Sequence, residues 1–360
     1  MPPRARSPKV EDVPETDRIE GFPHPREVFR LAGQDAALAR AARAIRNGRP
    51  PPAWLITGPP GVGKATLAYR IARAVLAHGA NANVPEDLAV PERDPAALQI
   101  AAASHPGLLI LKRGLNDSGK LMSDLSVNVV RKLQGFFGMT SGAGGWRIAI
   151  IDTADDMNDA AANALLKMLE EPPPRAMLLL LSNVPGRLLP TIRSRCQRLA
   201  LRPLDDATLE SELARLLPDS DASERASLAR LAGGSIGMAL QLSGGDSVAL
   251  AQEADRLLNH SSNHGGPPDV AAILALGDKI YRITDGLQTF GMFLAEALTA
   301  RIRARALAGG SHLDRWVECL NRIESRFGRT GALNLEPRQT LLATAGLLAD
   351  TSRRAGALSG

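Results

Sequence analysis

Over the first 202 residues, short, mostly apolar runs alternate with stretches in which apolar residues recur every three or four positions. The runs lie at 53–57, 108–111, 146–151, 177–181 and 198–201. They do not alternate polar with apolar residues, so each predicts a strand buried on both faces. The intervening stretches predict helices at 26–46, broken at Gly33-Gln34, at 65–78, at 123–137, at 158–171 and briefly at 189–193. On 65–78 the apolar face is Leu67, Ile71, Ala74 and Val75; on 123–137 it is Leu125, Val129, Leu133 and Phe136. Pro172-Pro173-Pro174 stops the fourth helix. Residues 81–103 read as irregular. Buried strands interleaved with helices define an α/β fold built on a parallel sheet covered on both faces.

After Pro203 the short runs stop. Residues 206–243 predict a small helical unit, and the Gly- and Pro-containing stretch 259–268 predicts a linker. Helical segments follow. Leu287, Phe290, Leu294 and Leu298 share one face, as do Trp316, Leu320, Ile323 and Phe327, and a last helix starts near Glu336-Pro337. The expected organisation is a disordered leader (1–21), an α/β core domain (22–202), a helical lid (203–258), a linker (259–268) and a C-terminal helical domain (269–360).

Composition narrows the function classes. The 360 residues are 44% apolar and 22% charged, which is ordinary for a globular protein, and only 3% aromatic. The net charge of +5 permits an acidic partner or nucleic acid. No run approaches the roughly 20 apolar residues of a membrane span, and Glu11, Asp12, Glu15 and Asp17 do not fit a secretory leader. Cys196 and Cys319 are far apart and no C-x-x-C pair exists, which fits a reducing cytoplasm and excludes a thiolate zinc site. His260 and His264 fall in the expected linker without further ligands and read as solvated.

Between the first strand and the helix that follows lies Gly58-Pro-Pro-Gly-Val-Gly-Lys64-Ala65-Thr66. The pattern G-x-x-x-x-G-K-[ST] places backbone amides and a lysine on phosphate oxygens and a hydroxyl on Mg²⁺. Gly58, Gly61, Gly63 and Lys64 satisfy it, whereas Ala65 stands at the hydroxyl position. Thr66 is about 100° further round the helix and does not address the same metal. The third strand ends in Asp152, where a metal-side acid belongs, but the next residue is Thr153, which cannot serve as a base. Asp155 reads as a helix cap, with a substitute base as the other reading.

Asn163-Ala-Leu-Leu-Lys-Met-Leu-Glu-Glu-Pro-Pro173, Leu181-Ser182-Asn183 and Thr191-Ile-Arg-Ser-Arg-Cys196 resemble the AAA+ clamp-loader subunits of bacterial replicases. The similarity covers about 22–245 by motif and the last third by length and helical character. It implies a RecA-like AAA+ core, a helical lid and a collar that joins five subunits into a ring. It also implies phosphate binding at Lys64 and the loop glycines, a metal-side acid at Asp152, and a γ-phosphate sensor at Ser182-Asn183. A second sensor arginine should fall near Gly237, where glycine stands. Arg195 matches the finger that reaches the ATP of a neighbouring subunit.

The resemblance further implies a subunit that holds ATP, if at all, without hydrolysing it. Its expected partners are the gamma/tau and delta subunits of DNA polymerase III, the beta sliding clamp and primer-template DNA. Some relatives carry a cysteine-ligated zinc module after the phosphate-loop helix; residues 77–103 here contain no cysteine, so no zinc is expected. The alternative is an active clamp-loader ATPase of the gamma/tau type, which requires Thr66 to serve the metal and Asp155 to serve as base. A helicase loader or recombination ATPase fits the L-E-E-P-P and S-R-C runs less well.

Overall fold

A computed structural model describes residues 18–114, 122, 124–138, 145–244, 246–264, 269–283, 286–333 and 336–356. The expected leader lies outside the described residues apart from 18–21. The strands are β1 (Ala53–Thr57), β2 (Leu108–Leu111), β3 (Arg147–Ile151), β4 (Ala176–Ser182) and β5 (Gln197–Ala200). They form one parallel sheet in the order β2-β3-β4-β1-β5.

Two cores explain why the central strands β1, β3 and β4 are apolar almost throughout, whereas the edge strand β5, expected to be buried on both faces, has only Leu199 buried. Trp54 and Ile56 of β1, Ile148 and Ile150 of β3, and Met177, Leu179 and Leu181 of β4 face one core. That side is covered by α1 (Asp35–Arg46), α2 (Lys64–His78) and α3 (Pro95–Ala101). The alternate residues, Ala53, Leu55, Ala149, Ile151, Leu178 and Leu180, face the other core. There they meet α4 (Val127–Gly138), α5 (Asp159–Glu170) and α6 (Pro190–Arg195). Side chains along a strand point alternately to its two faces, so a strand covered on both sides has no polar register.

Several boundaries depart from expectation. The predicted helix 26–46 is a single 3₁₀ turn, Pro25–Glu27, followed by non-helical chain up to α1. The carbonyls of Val28 and Phe29 accept from Arg73 and Arg70 of α2, and the Arg73 guanidinium lies 4.2 Å over the Phe29 ring. These bonds take carbonyls that a helix would use. Burial lowers the Arg73 pKa to about 10. Within the stretch expected to be irregular, α3 forms because Asp94 caps it, accepting from Ala96 N at 2.8 Å, with Pro95 at its first turn. Leu125 makes a bridge to Met157 instead of joining α4. Helix α6 runs two residues past 193, so Arg195 is its last residue.

The remaining helices are α7 (Asp206–Leu216), α8 (Ala222–Ala232), α9 (Ile236–Leu242), α10 (Asp246–His264), α11 (Val270–Tyr281), α12 (Gly286–Leu307), α13 (Leu313–Leu333) and α14 (Pro337–Ala355). The expected linker is corrected: 259–264 are the last six residues of α10, and 265–268 lie outside the described residues. Glycine and proline occur only in the latter four, so nothing in Asn259 to His264 breaks a helix.

The chain divides into two compact units. One comprises residues up to Arg225 together with Gly234–Met238; the other comprises Ala226–Gly233 and Ala239 onward. The expected lid, 203–258, is thus shared between them. In the second unit Phe290, Leu294 and Leu298 of α12 and Trp316, Ile323 and Phe327 of α13 are buried, with the Phe290 and Phe327 rings 6.2 Å apart. No described helix is long and apolar enough to cross a membrane.

Candidate functional site

The carboxyl ends of β1, β3 and β4 bring the loop 58–63, Asp152 and Ser182 to one edge of the sheet, the edge at which open parallel sheets bind ligands. The loop closes on itself and on the sheet. Gly58 N donates to Ser182 O at 3.3 Å, and the Gly63 carbonyl accepts from Leu67 N at 2.9 Å, opening α2.

Lys64 is 8% exposed, and its Nζ donates to the carbonyls of Gly58 at 2.8 Å and Pro59 at 2.7 Å. Burial lowers its pKa to about 8, although the charges of Asp152 and Asp155 oppose that shift. A lysine, loop amides and a helix N-terminus fit a phosphate group. They fit a phosphate-bound Mg²⁺ less well, because Ala65 supplies no oxygen. Thr153 supplies no carboxylate either; its Oγ1 donates to Asp152 Oδ1 at 3.4 Å.

Asp155 takes a different role from either expected one. Its Oδ1 accepts from Ser182 Oγ at 2.6 Å, and its Oδ2 accepts from the amides of Asn183 and of Val184, the latter at 3.0 Å. Both carboxylate oxygens therefore hold the turn after β4. The cap of α5 is Asn158, whose Oδ1 accepts from Ala161 N at 2.9 Å. Within the expected sensor pair, Ser182 is fully buried and donates to Asp155, while Asn183 is exposed.

Residues 234–238 lie directly on the phosphate loop. Ser235 Oγ donates to Pro60 O at 2.9 Å and accepts from Met238 N at 3.1 Å. Gly237 N donates to Gly61 O at 3.0 Å. Gly61 has φ +70°, and a Cβ there would lie 2.4 Å from Ser235 Oγ. Ser235 is 2% exposed and was not among the expected site residues. Its only sequence signal is that of a serine preceding a helix.

Arg195 is placed elsewhere. Its Nη1 donates to Thr191 O at 3.1 Å, and its Nη2 lies 2.9 Å from Glu170 Oε1. It precedes Gln197, which pairs with Trp54 near the start of β1, whereas the loop follows Thr57, the partner of Ala200. At ~3.3 Å per residue this separates Arg195 from the level of the chain's own loop by roughly 16 Å along the strands. Next to it, burial pushes the Cys196 thiol up to about 12, leaving it protonated and inert.

Residues 33–205 match the family described as "DNA polymerase III, delta subunit". The chain is 39% identical over 184 residues to DNA polymerase III subunit delta' of Pseudomonas aeruginosa, covering 51% of this chain and 53% of that protein. It is 34% identical over 222 residues to the Escherichia coli subunit of the same name, covering 62% and 63%. DNA polymerase III subunit gamma/tau of Mycobacterium tuberculosis is 30% identical over 200 residues, covering 53% of this chain and 31% of that protein. The chain thus spans between half and two thirds of the length of these two delta' relatives. Through this region, just under half of its length by the family match, the chain is similar to DNA polymerase III delta' subunits.

Proposed function

We propose that the protein is a non-hydrolysing stator of a DNA polymerase III clamp loader, and that Arg195 serves the ATP of a neighbouring subunit. The observation that carries this reading is the placement of Arg195 at the opposite end of β5 from the chain's own loop. An arginine there is out of reach of a nucleotide on Lys64 and sits on the rim, 37% exposed, where an adjoining subunit can meet it. Its guanidinium would stabilise charge on a transferring γ-phosphoryl group, a contribution worth roughly 10³–10⁵ in rate. Ala65, Thr153 and the two engaged oxygens of Asp155 support the absence of hydrolysis at the chain's own loop. They weigh equally against the active gamma/tau-type reading. In this reading Gly58, Gly61, Gly63, Lys64, Asp152 and Asn183 form a degenerate nucleotide site that holds ATP, if at all, without turnover. The partners are gamma/tau and delta subunits, the beta clamp and, within the assembled ring, primer-template DNA, in the cytoplasm.

The test is ATP turnover with and without partners. The isolated chain with Mg²⁺-ATP is expected to show negligible hydrolysis. Arg195→Ala is expected to leave assembly with the other subunits intact while lowering the ATPase rate of the assembled complex at least about tenfold, a conservative floor beneath the roughly 10³–10⁵ range for such fingers. Substantial turnover by the isolated chain would sink the stator reading, and a normal rate in the Arg195→Ala assembly would sink the finger.

A further inference from the structure

We infer that Glu170 is a positioning residue for Arg195, setting the direction in which the guanidinium leaves the subunit; this rests on the finger reading above. Both partners are anchored by backbone on either side. Glu170 is the last residue of α5, immediately before Glu171 and the prolines 172–174. Arg195 is the last residue of α6, immediately before β5 joins the sheet at Gln197. Proline and sheet pairing fix the two main-chain positions, so one ion pair suffices to select the side-chain direction.

The contacts leave the arginine oriented and still able to donate. Thr191 O accepts from Nη1, and Nη2 forms an ion pair with Glu170 Oε1 at 2.9 Å. Of the five guanidinium N–H groups one is hydrogen-bonded, to Thr191 O, so donors remain for phosphoryl oxygens as far as the described residues go. A planar fork held at two points presents its remaining donors in a fixed plane, which is what a short-lived phosphoryl transition state requires. The carboxylate is itself half exposed, so it can hold the arginine without the cost of a buried charge. Glu171, adjacent in sequence, makes no such contact with Arg195 among the described residues.

The experiment is a double-mutant cycle on ATP hydrolysis by the complete assembly, reading kcat and KM separately. Glu170→Ala is expected to lower kcat about tenfold with KM unchanged, since misdirecting a group that acts in the transition state costs rate and not ground-state binding. Glu170→Gln keeps an oxygen acceptor for Nη2 and is expected to restore most of that loss. In an Arg195→Ala background Glu170→Ala is expected to have no further effect. The inference is overturned if Glu170→Ala keeps kcat within twofold of wild type while Arg195→Ala lowers it. It is also overturned if Glu170→Ala lowers kcat equally in the Arg195→Ala background. A normal rate with Arg195→Ala alone instead removes the finger reading itself. Thermal unfolding of each variant separates a loss of kcat from a loss of folded protein.

Discussion

Gly237 rests on Gly61: its amide donates to the Gly61 carbonyl at 3.0 Å, and a Cβ on Gly237 would come within 2.7 Å of the Gly61 Cα. The position at which a second sensor would carry arginine is therefore occupied by the one residue small enough to let this backbone touch the phosphate loop.

Substitution at Gly237 tests that relation. The obstacle to Gly237→Ala is backbone atoms of Gly61, which cannot swing away as a long side chain can. Overpacking of this kind costs about 1–3 kcal/mol. Urea unfolding should show a lower midpoint for Gly237→Ala and a lower one again for Gly237→Arg. An unchanged midpoint for both would mean that residues 234–238 do not hold the loop in solution.

A second prediction concerns Asp155. Removing its carboxylate leaves the fully buried Ser182 hydroxyl and the amides of Asn183 and Val184 without their acceptor. Buried Ser182 carries most of the cost, because the other two groups are exposed enough to take water. Asp155→Ala should destabilise the chain by about 1–3 kcal/mol. Asp155→Asn retains an oxygen acceptor and should cost less. A catalytic base would behave differently, with activity falling and stability holding, so paired unfolding and ATPase measurements decide between the roles.

The sheet was legible because burial on both faces leaves its mark along the central strands, as in Leu178 through Leu181. Ala65 and Thr153 stand out in the sequence because each occupies a motif position whose chemistry depends on one functional group. What escaped the sequence depends on partners distant along the chain. Asp155 takes its role from Ser182 and its neighbours, 27 or more residues away. Ser235 takes its role from Pro60, 175 residues away. The non-helical chain at 28–34 reflects arginines on α2 competing for the Val28 and Phe29 carbonyls, which no local pattern near 28 records. By contrast α3 was missed although its signal was local: Asp94-Pro95 is a cap followed by a first-turn proline.

Lys64 makes the last prediction, in its pH dependence. Burial lowers its pKa from 10.5 to about 8 in the folded chain. Below about pH 8 both states carry the cation, and the folded state bears the cost of keeping it from water. Between about pH 8 and 10.5 the unfolded chain binds more protons than the folded one, so stability attributable to this group rises with pH. Above that window both states are neutral and the contribution is level. The whole rise is at most about 3 kcal/mol. Other lysines and tyrosines titrate in the same range, so the quantity to measure is the difference in unfolding free energy between wild type and Lys64→Met. Wild type should gain on the variant from pH 8 to 10.5 and not below pH 7. A difference that stays flat across that window would show that the ammonium is solvated, and that the loop carbonyls of Gly58 and Pro59 do not hold it out of water.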